Sequence, residues 1–337
     1  MEAAKSVPVA APEPGADTID APQATSTAPV LSVLVTAHQR RTFLVDAVRS
    51  ASQQTLPREQ YEIVVIKDFE EPEIDRALLR LGARLVRHQS DSMGEIMAEG
   101  VRACRGGIIS FLDDDDTFEP EKLAVVRREF AHDHDLSYLH NGLVLIDEEG
   151  QPTDGRRTRV GMQASAMSAD WGFCSSCISI RRTLLDPVID RWPDVRRSPD
   201  SFLDYVSRAS RYSRRQTNTP LTKYRVHPAS NSMRTNPAKA YLATARILTE
   251  LPPSRRRRAA MASLLGRYMS AAVRGRSSDR ESMVWAMAHL ALSAAPAAVR
   301  PDAREILFGC VVPFSPALAA GLYSWIRKGR VEWLPPA

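Results

Sequence analysis

A short, largely apolar run at 108–112 (Ile-Ile-Ser-Phe-Leu) ends in four consecutive aspartates, Asp113, Asp114, Asp115 and Asp116, followed by Thr117-Phe118-Glu119-Pro120. The run suits a buried strand. Like charges packed so closely repel one another, and they persist where a cation neutralises them. Carboxylate oxygens are the ligands of hard cations such as Mg2+ or Mn2+. In an open α/β sheet the ligand crevice lies outside the carboxyl ends of the strands. An acidic strand end is therefore a place to hold a cation and, through it, a phosphate ester. The plainer alternative is a solvated acidic turn that starts the helix after Pro120. Four acids directly behind a buried strand exceed what a helix start requires.

The chain around this run has a βα rhythm. Strands are predicted at 31–36, 61–66, 83–86 and 108–112, and helices at 42–53, 72–81, 94–103 and from Pro120 to about 131. Apolar runs alternating with amphipathic helices imply a parallel sheet covered on both faces. Further on, 136–146 reads as extended, 151–170 as a mobile loop without periodicity, and 174–180 as a strand. Ser198-Pro199-Asp200 reads as a helix start, with serine as the N-cap and proline at the first position. That helix is expected to run to about 211. Residues 219–226 read as extended, and from 236 onward the pattern is helical. The expected organisation is a disordered tail at 1–29, an α/β domain at 30–235 and a helical C-terminal appendage at 236–337. The tail is rich in Ala, Pro and Thr and has too few large apolar residues to order itself.

At 337 residues the chain can bury one large core or two smaller ones. No apolar stretch reaches the length of a membrane span, and the N-terminus lacks the apolar segment of a signal peptide. Four cysteines suit a reducing, cytoplasmic setting. Cys174-Ser-Ser-Cys177 resembles half of a zinc or redox site, but a second pair is missing, so packed thiols are the expectation. Charge is divided unevenly. Residues 1–150 carry 15 basic against 27 acidic side chains, and residues 151–337 carry 30 against 13. An acidic half able to hold a cation, joined to a basic half, suits a polyanionic ligand such as a diphosphate. It also suits an anionic membrane surface.

Four polar stretches fall on successive connections of this βα pattern: Thr36-Ala37-His38-Gln39-Arg40, Lys67-Asp68, the aspartate run, and Tyr224-Arg225-Val226-His227-Pro228-Ala229-Ser230-Asn231-Ser232. Each alone is weak. In their order and spacing, from about residue 30 to 232, they resemble the inverting family 2 glycosyltransferases of the GT-A fold. The resemblance implies a GT-A type, doubly wound, mostly parallel sheet with helices on both faces. It also implies a role for each matching residue. Thr36 and His38 line the base pocket and Asp68 bonds the base. Asp113 and Asp114 face the ribose and support the metal. Asp115 binds a divalent cation, Mn2+ or Mg2+, that bridges the diphosphate, and His227 closes the site from the far side as a metal or phosphate ligand.

An inverting transfer also needs a base for the acceptor hydroxyl. Asp200 is the candidate, and Asp204, one turn later on the same helix face, is the reserve. An acid at that position also stabilises a helix N-terminus, which would lower its pKa and blunt it as a base.

The sequence departs from the family pattern at three places: Lys67-Asp68-Phe69 replaces an Asp-Asp-Gly, Gln39 replaces an asparagine, and the glutamate preceding the base aspartate is missing. These departures bear on nucleotide preference.

The expected partners are a nucleoside diphosphate sugar donor and a glycan, lipid-linked or small-molecule acceptor. Trp171 is placed to stack on an acceptor sugar or to fill the core. Arg255 to Arg258, followed by Met261, Leu264, Leu265 and Tyr268 at helical spacing, form a basic amphipathic pattern. It predicts docking on the catalytic domain or, peripherally, on the inner membrane leaflet. No nucleic-acid module accompanies these arginines. Two other readings compete. A nucleotidyltransferase would be expected to carry a glycine-rich phosphate loop after the first strand, and 36–41 has no glycine. A non-catalytic scaffold would not need Asp115, His227 and Asp200.

Overall fold

The computed structural model describes residues 18–19, 29–153, 174–227, 238–275, 282–287 and 289. Residues 154–170 of the predicted loop, Trp171, the stretch 228–232 and residues 290–337 of the predicted helical region lie outside the described residues, as does the N-terminal tail apart from Thr18–Ile19 and residue 29.

A two-residue strand β1 (Thr18–Ile19) lies against the sheet edge. The main run follows as β2 (Leu31–Ala37), α1 (Leu44–Ser52), β3 (Tyr61–Lys67), α2 (Pro72–Arg80), β4 (Ala83–Arg87), α3 (Met93–Ala103), β5 (Ile108–Asp113), β6 (Thr117–Phe118) and α4 (Lys122–His132). Then come β7 (Leu136–Ile146), β8 (Ile178–Arg181), α5 (Pro199–Ala209), β9 (Ser213–Arg225), α6 (Ala238–Glu250) and α7 (Arg255–Gly275). The sheet order is β1-β4-β3-β2-β5-β8-β7-β9-β6. From β4 to β5 all pairings are parallel. Beyond β5 the sheet becomes mixed: β8 runs antiparallel to both β5 and β7, whereas β9 runs parallel to β7.

The central strands β2, β3 and β5 are mostly apolar because both faces are covered. Leu31, Val33, Val35 and Ala37 of β2 pack with α1, α2 and α4, while Leu34 packs on the opposite side with α3, α5, α6 and α7. β3 divides the same way, with Ile63 and Val65 on one face and Val64 and Ile66 on the other. This is the period-2 alternation of a strand, with apolar residues on both faces. The helix α3 comes so close that a Cβ on Gly100 would stand 2.7 Å from Leu34 Cδ1. Only glycine permits that approach.

The predicted appendage shares this core. Met261, Leu264, Leu265 and Tyr268 of α7 are buried with residues of α5 and α6. Two of the four arginines are also held internally. Arg256 Nη1 donates to the carbonyls of Arg211 (2.8 Å) and Tyr212 (2.9 Å), just past the end of α5. Arg257 Nη1 donates to Thr249 O (3.0 Å) and to Leu251 O, at the end of α6. Basic residues at a helix N-terminus oppose its dipole. Here they satisfy the unpaired carbonyls at the ends of two neighbouring helices. The docking expected on the catalytic domain is therefore present. No described helix is long and apolar enough to cross a membrane.

Candidate active site

The strand order changes direction between β2 and β5. From β2 the chain moves outward to β3 and β4, then returns to the other side of β2 as β5. Such a switch point opens a crevice at the carboxyl ends of the strands. Thr36 at the end of β2 is in register with Asp113 at the end of β5. The two strongest polar signals in the sequence thus meet at one place. The Thr36 hydroxyl hydrogen-bonds Asp113.

On the β2 side, His38 Nδ1 lies 2.8 Å from Asp68 Oδ2. The Gln39 N–H donates to Asp68 Oδ1 at 2.9 Å, and Gln39 holds a left-handed φ of 60°. Asp68 at the end of β3 therefore ties down the loop after β2. That kink directs Arg40 across the switch point, where its guanidinium spans Asp114 and Asp115.

The four aspartates differ in surroundings. Asp113, Asp115 and Asp116 each present an oxygen within 4.8 Å of the others. His227 Nε2 stands 3.0 Å from Asp115 Oδ2. Asp116 is buried and accepts from the Ser176 hydroxyl (2.6 Å) and the Arg225 N–H (2.9 Å). The Ser176 Oγ also accepts from the Asp113 N–H at 2.9 Å, so one hydroxyl orients two of the carboxylate-bearing residues. Asp114 Oδ2 is buried without a hydrogen-bond partner. Burial and the Asp115 charge push the Asp113 carboxyl up to about 7, although Arg40 opposes them. Burial also drives Asp114 and Asp116 well above the usual range. For Asp115 burial acts in the same sense, but the His227 hydrogen bond and Arg40 outweigh it and hold this carboxyl below its ordinary value. The converging hard oxygen donors of Asp113, Asp115 and Asp116 fit a divalent cation of the Mg2+ or Mn2+ type.

The far wall comes from β9 and α5. The Arg225 Nε donates to Asp115 O (2.9 Å), and its guanidinium also reaches the carbonyls of Asp147 (3.0 Å) and Glu148 (2.5 Å) and stacks over Phe43 at 4.4 Å. Phe43 in turn lies 5.3 Å from the His227 ring. At the start of α5, Pro199 occupies the first turn as expected, but Ser198 does not cap through its side chain and sits at φ 55° in the left-handed region. Instead Asp200 Oδ1 accepts the Ser201 N–H at 2.8 Å. Burial pushes the Asp200 carboxyl up to about 6. Its charge in turn raises Asp113, so the two carboxyls share one electrostatic environment. The helix end therefore does not blunt Asp200 in the way its position alone suggested. Asp204 lies between Arg208 Nε (2.7 Å) and an Arg214 guanidinium nitrogen (2.6 Å).

Cys174 and Cys177 are buried free thiols, as the packed-thiol reading expected. The predicted strand at 174–180 starts only at Ile178, because Ser175–Cys177 form a tight 3-10 turn. That turn places Ser176 under the aspartates. The sequence reading singled out neither Arg40, Ser176 and Arg225 nor a separate role for Asp116. Arg40 and Arg225 lay inside quoted stretches, and Asp116 completed the aspartate run, but Ser176 carried no signal.

A family model, Glycosyl transferase family 2, matches residues 32–188, the segment that contains β2 to β8 and the aspartate cluster. Over these residues the chain is similar to glycosyl transferase family 2. Among similar proteins, EpsH of Bacillus subtilis, named as a putative glycosyltransferase, is 22% identical over 217 residues, covering 60% of this chain and 62% of that protein. The chondroitin synthase of Escherichia coli is 28% identical over 127 residues, covering 36% of this chain and 18% of the synthase. This chain thus spans less than two thirds of either relative. Among solved structures, residues 1–349 of S. aureus TarS in complex with UDP-GlcNAc superpose with a TM-score of 0.60 at 15% identity, covering 89% of this chain and 92% of that TarS segment. The complex of the same TarS segment with UDP gives 0.58 at 14% identity. At that identity the likeness is one of fold.

Proposed function

We propose that this chain is a metal-dependent inverting glycosyltransferase. It moves a sugar from a nucleoside diphosphate sugar to an acceptor hydroxyl. The observation that carries this reading is the meeting, at the switch point, of Asp113, Asp115 and Asp116 with His227 on one side and Asp200 on the other. The UDP and UDP-GlcNAc held by TarS support a nucleotide-sugar donor, and UDP is the nucleotide to test first.

Thr36, His38 and Asp68 would bind the base, and Asp113 and Asp114 the ribose. Asp115, with Asp113, Asp116 and His227, would hold Mg2+ or Mn2+. A bound divalent cation would neutralise charge on the departing diphosphate. Asp200 would accept the proton of the acceptor hydroxyl as its oxygen forms a bond to the anomeric carbon. The bond from that carbon to the diphosphate breaks on the opposite face, and the nucleoside diphosphate leaves with its electron pair. A carboxyl near pH 6 is ionised at neutral pH yet basic enough to take that proton. The acceptor is a glycan, a lipid-linked sugar or a smaller hydroxyl compound. Arg255 and Arg258 leave room for peripheral contact with an anionic membrane face.

The test is incubation with α-linked UDP-sugars, Mn2+ and a panel of hydroxyl acceptors, following UDP release and the product anomer by NMR. A β-linked product is expected. An α-linked product, or turnover unaffected by chelation, would overturn the inverting or the metal-dependent half.

The geometry favours Asp200 over Asp204 as base. Asp204 already neutralises two arginines, and Asp204→Asn leaves both short of a counter-charge. Thermal unfolding should show a loss of about 1–3 kcal/mol. Turnover at a temperature where the variant stays folded should fall far less than in Asp200→Asn.

A further inference from the structure

Arg40 is the one cationic side chain, among the described residues, that forks across two of the four aspartates. One guanidinium nitrogen meets Asp115 Oδ2 and the other meets Asp114 Oδ1. The Asp115 oxygen it takes is the same one that His227 approaches at 3.0 Å. A cation bound by Asp115 would therefore meet the Arg40 charge at its first ligand. Three observations bear on a change of partners at this contact. The loop that carries Arg40 is anchored one residue earlier, through the left-handed Gln39 and its bond to Asp68, so the side chain beyond the anchor can swing. Its side chain retains 28% exposure, whereas Asp114 beneath it retains 2%. Its Nε is buried against the site without a hydrogen-bond partner, so the guanidinium has a donor to spare. The neighbouring Arg41 is committed elsewhere, stacked over Phe69 at 4.4 Å.

We propose that Arg40 is a built-in competitor of the divalent cation, and that it hands the aspartates over when the donor's diphosphate takes its guanidinium. The inference rests on the metal-site reading given above and adds an order to it. With Arg40 on the carboxylates, the site binds the cation alone weakly. A diphosphate offers the planar guanidinium a bidentate anionic partner. Arg40 moves to it, the carboxylates are freed, and the cation and diphosphate bind with positive coupling. The protein would thereby resist filling with metal before a donor arrives. Arg40 is in this sense a positioning residue for both ligands.

The test has two arms of opposite sign, run on the full-length chain. In the first, Mn2+ alone is titrated and the free ion is followed by electron paramagnetic resonance. Arg40→Gln should bind Mn2+ about tenfold more tightly than wild type, because a nearby positive charge is gone. In the second, preformed magnesium pyrophosphate, the base-independent part of the donor, is titrated calorimetrically. Here Arg40→Gln should bind about tenfold more weakly. Arg40→Lys keeps the charge without the fork, so it should match wild type for Mn2+ alone and fall toward Arg40→Gln for pyrophosphate. Arg40→Gln that binds Mn2+ equally or more weakly, while Asp115→Ala abolishes that binding, overturns the competition and leaves the metal site standing. Pyrophosphate binding that is unchanged in Arg40→Gln overturns the hand-over. Failure of wild type to bind either probe removes the metal-site reading and this inference with it.

Discussion

Asp200→Asn should lower turnover by about 10²- to 10⁴-fold, the usual contribution of a positioned general base. The side chain keeps its size and its bond to the Ser201 N–H, so folding and donor binding should survive. In the wild type the reactive form is the carboxylate. Its pKa is raised to about 6, chiefly by burial, so kcat/KM should rise as pH increases through about 6 and then level off. In Asp200→Asn that rising limb should disappear from the residual rate. A limb that persists in the variant would assign the base elsewhere.

The same residue predicts a change in stability of opposite sense. The Asp200 carboxyl titrates higher in the folded state, at about 6, than the ordinary 3.8. The native chain therefore holds its proton more tightly. The associated stabilisation is complete below pH 3.8 and is lost as pH rises through about 6. At pH 7 this partly buried carboxylate is a liability that asparagine removes. Asp200→Asn should thus be the more stable protein at pH 7, by on the order of 1–2 kcal/mol, with the difference vanishing near pH 4. Loss of activity with a gain in melting temperature is the signature of a strained functional group, and a damaged fold would not produce it.

The α/β core was readable because each strand has both faces buried. Ile63-Val64-Val65-Ile66 is apolar at every position, Leu31 to Ala37 at all but Ser32 and Thr36, and the helices between them show one apolar face. The place of the site followed from chemistry as much as pattern, since four acids behind a buried strand have few other uses. Beyond β5 the local signal weakened. The strand β9 is half exposed over Ser213–Pro220 and pairs with β7 through several register shifts, so its polar N-terminal half did not read as a strand. The turn at Ser175–Cys177 was read as extended because Cys and Ile flank it, yet its conformation follows from tertiary contacts. The Lys122 ammonium, fully buried on α4, bonds Ser176 O and Thr222 Oγ1. Such long-range polar contacts have no period, and they are what brings Ser176 to Asp113 and Asp116. Arg40 was hidden for a similar reason, because its partners lie 74 and 75 residues away in the chain.

Asp115→Ala should abolish the metal-dependent part of nucleotide binding. Asp115 is the aspartate where the site converges: it belongs to the oxygen cluster, meets His227 and Arg40 through one oxygen, and alone among the four is held below the ordinary carboxylate range. It is therefore the carboxylate already ionised when a cation arrives, whereas Asp113, pushed to about 7, must first lose a proton. With UDP at a hundred times its dissociation constant and saturating Mn2+, the wild type should gain about 2.7 kcal/mol, or several degrees in melting temperature. Asp115→Ala should show no such gain with UDP and Mn2+ together. For wild type, lowering the pH from 7.5 to 5.5 should shrink the Mn2+-dependent gain, because Asp113 then retains its proton. GDP, CDP and dTDP, run in parallel, separate a wrong nucleotide from a wrong site. If one of them stabilises wild type and Asp115→Ala equally, Asp115 is not the metal ligand. If none stabilises the wild type with Mn2+, the acids serve the fold and the transferase reading fails at its first step.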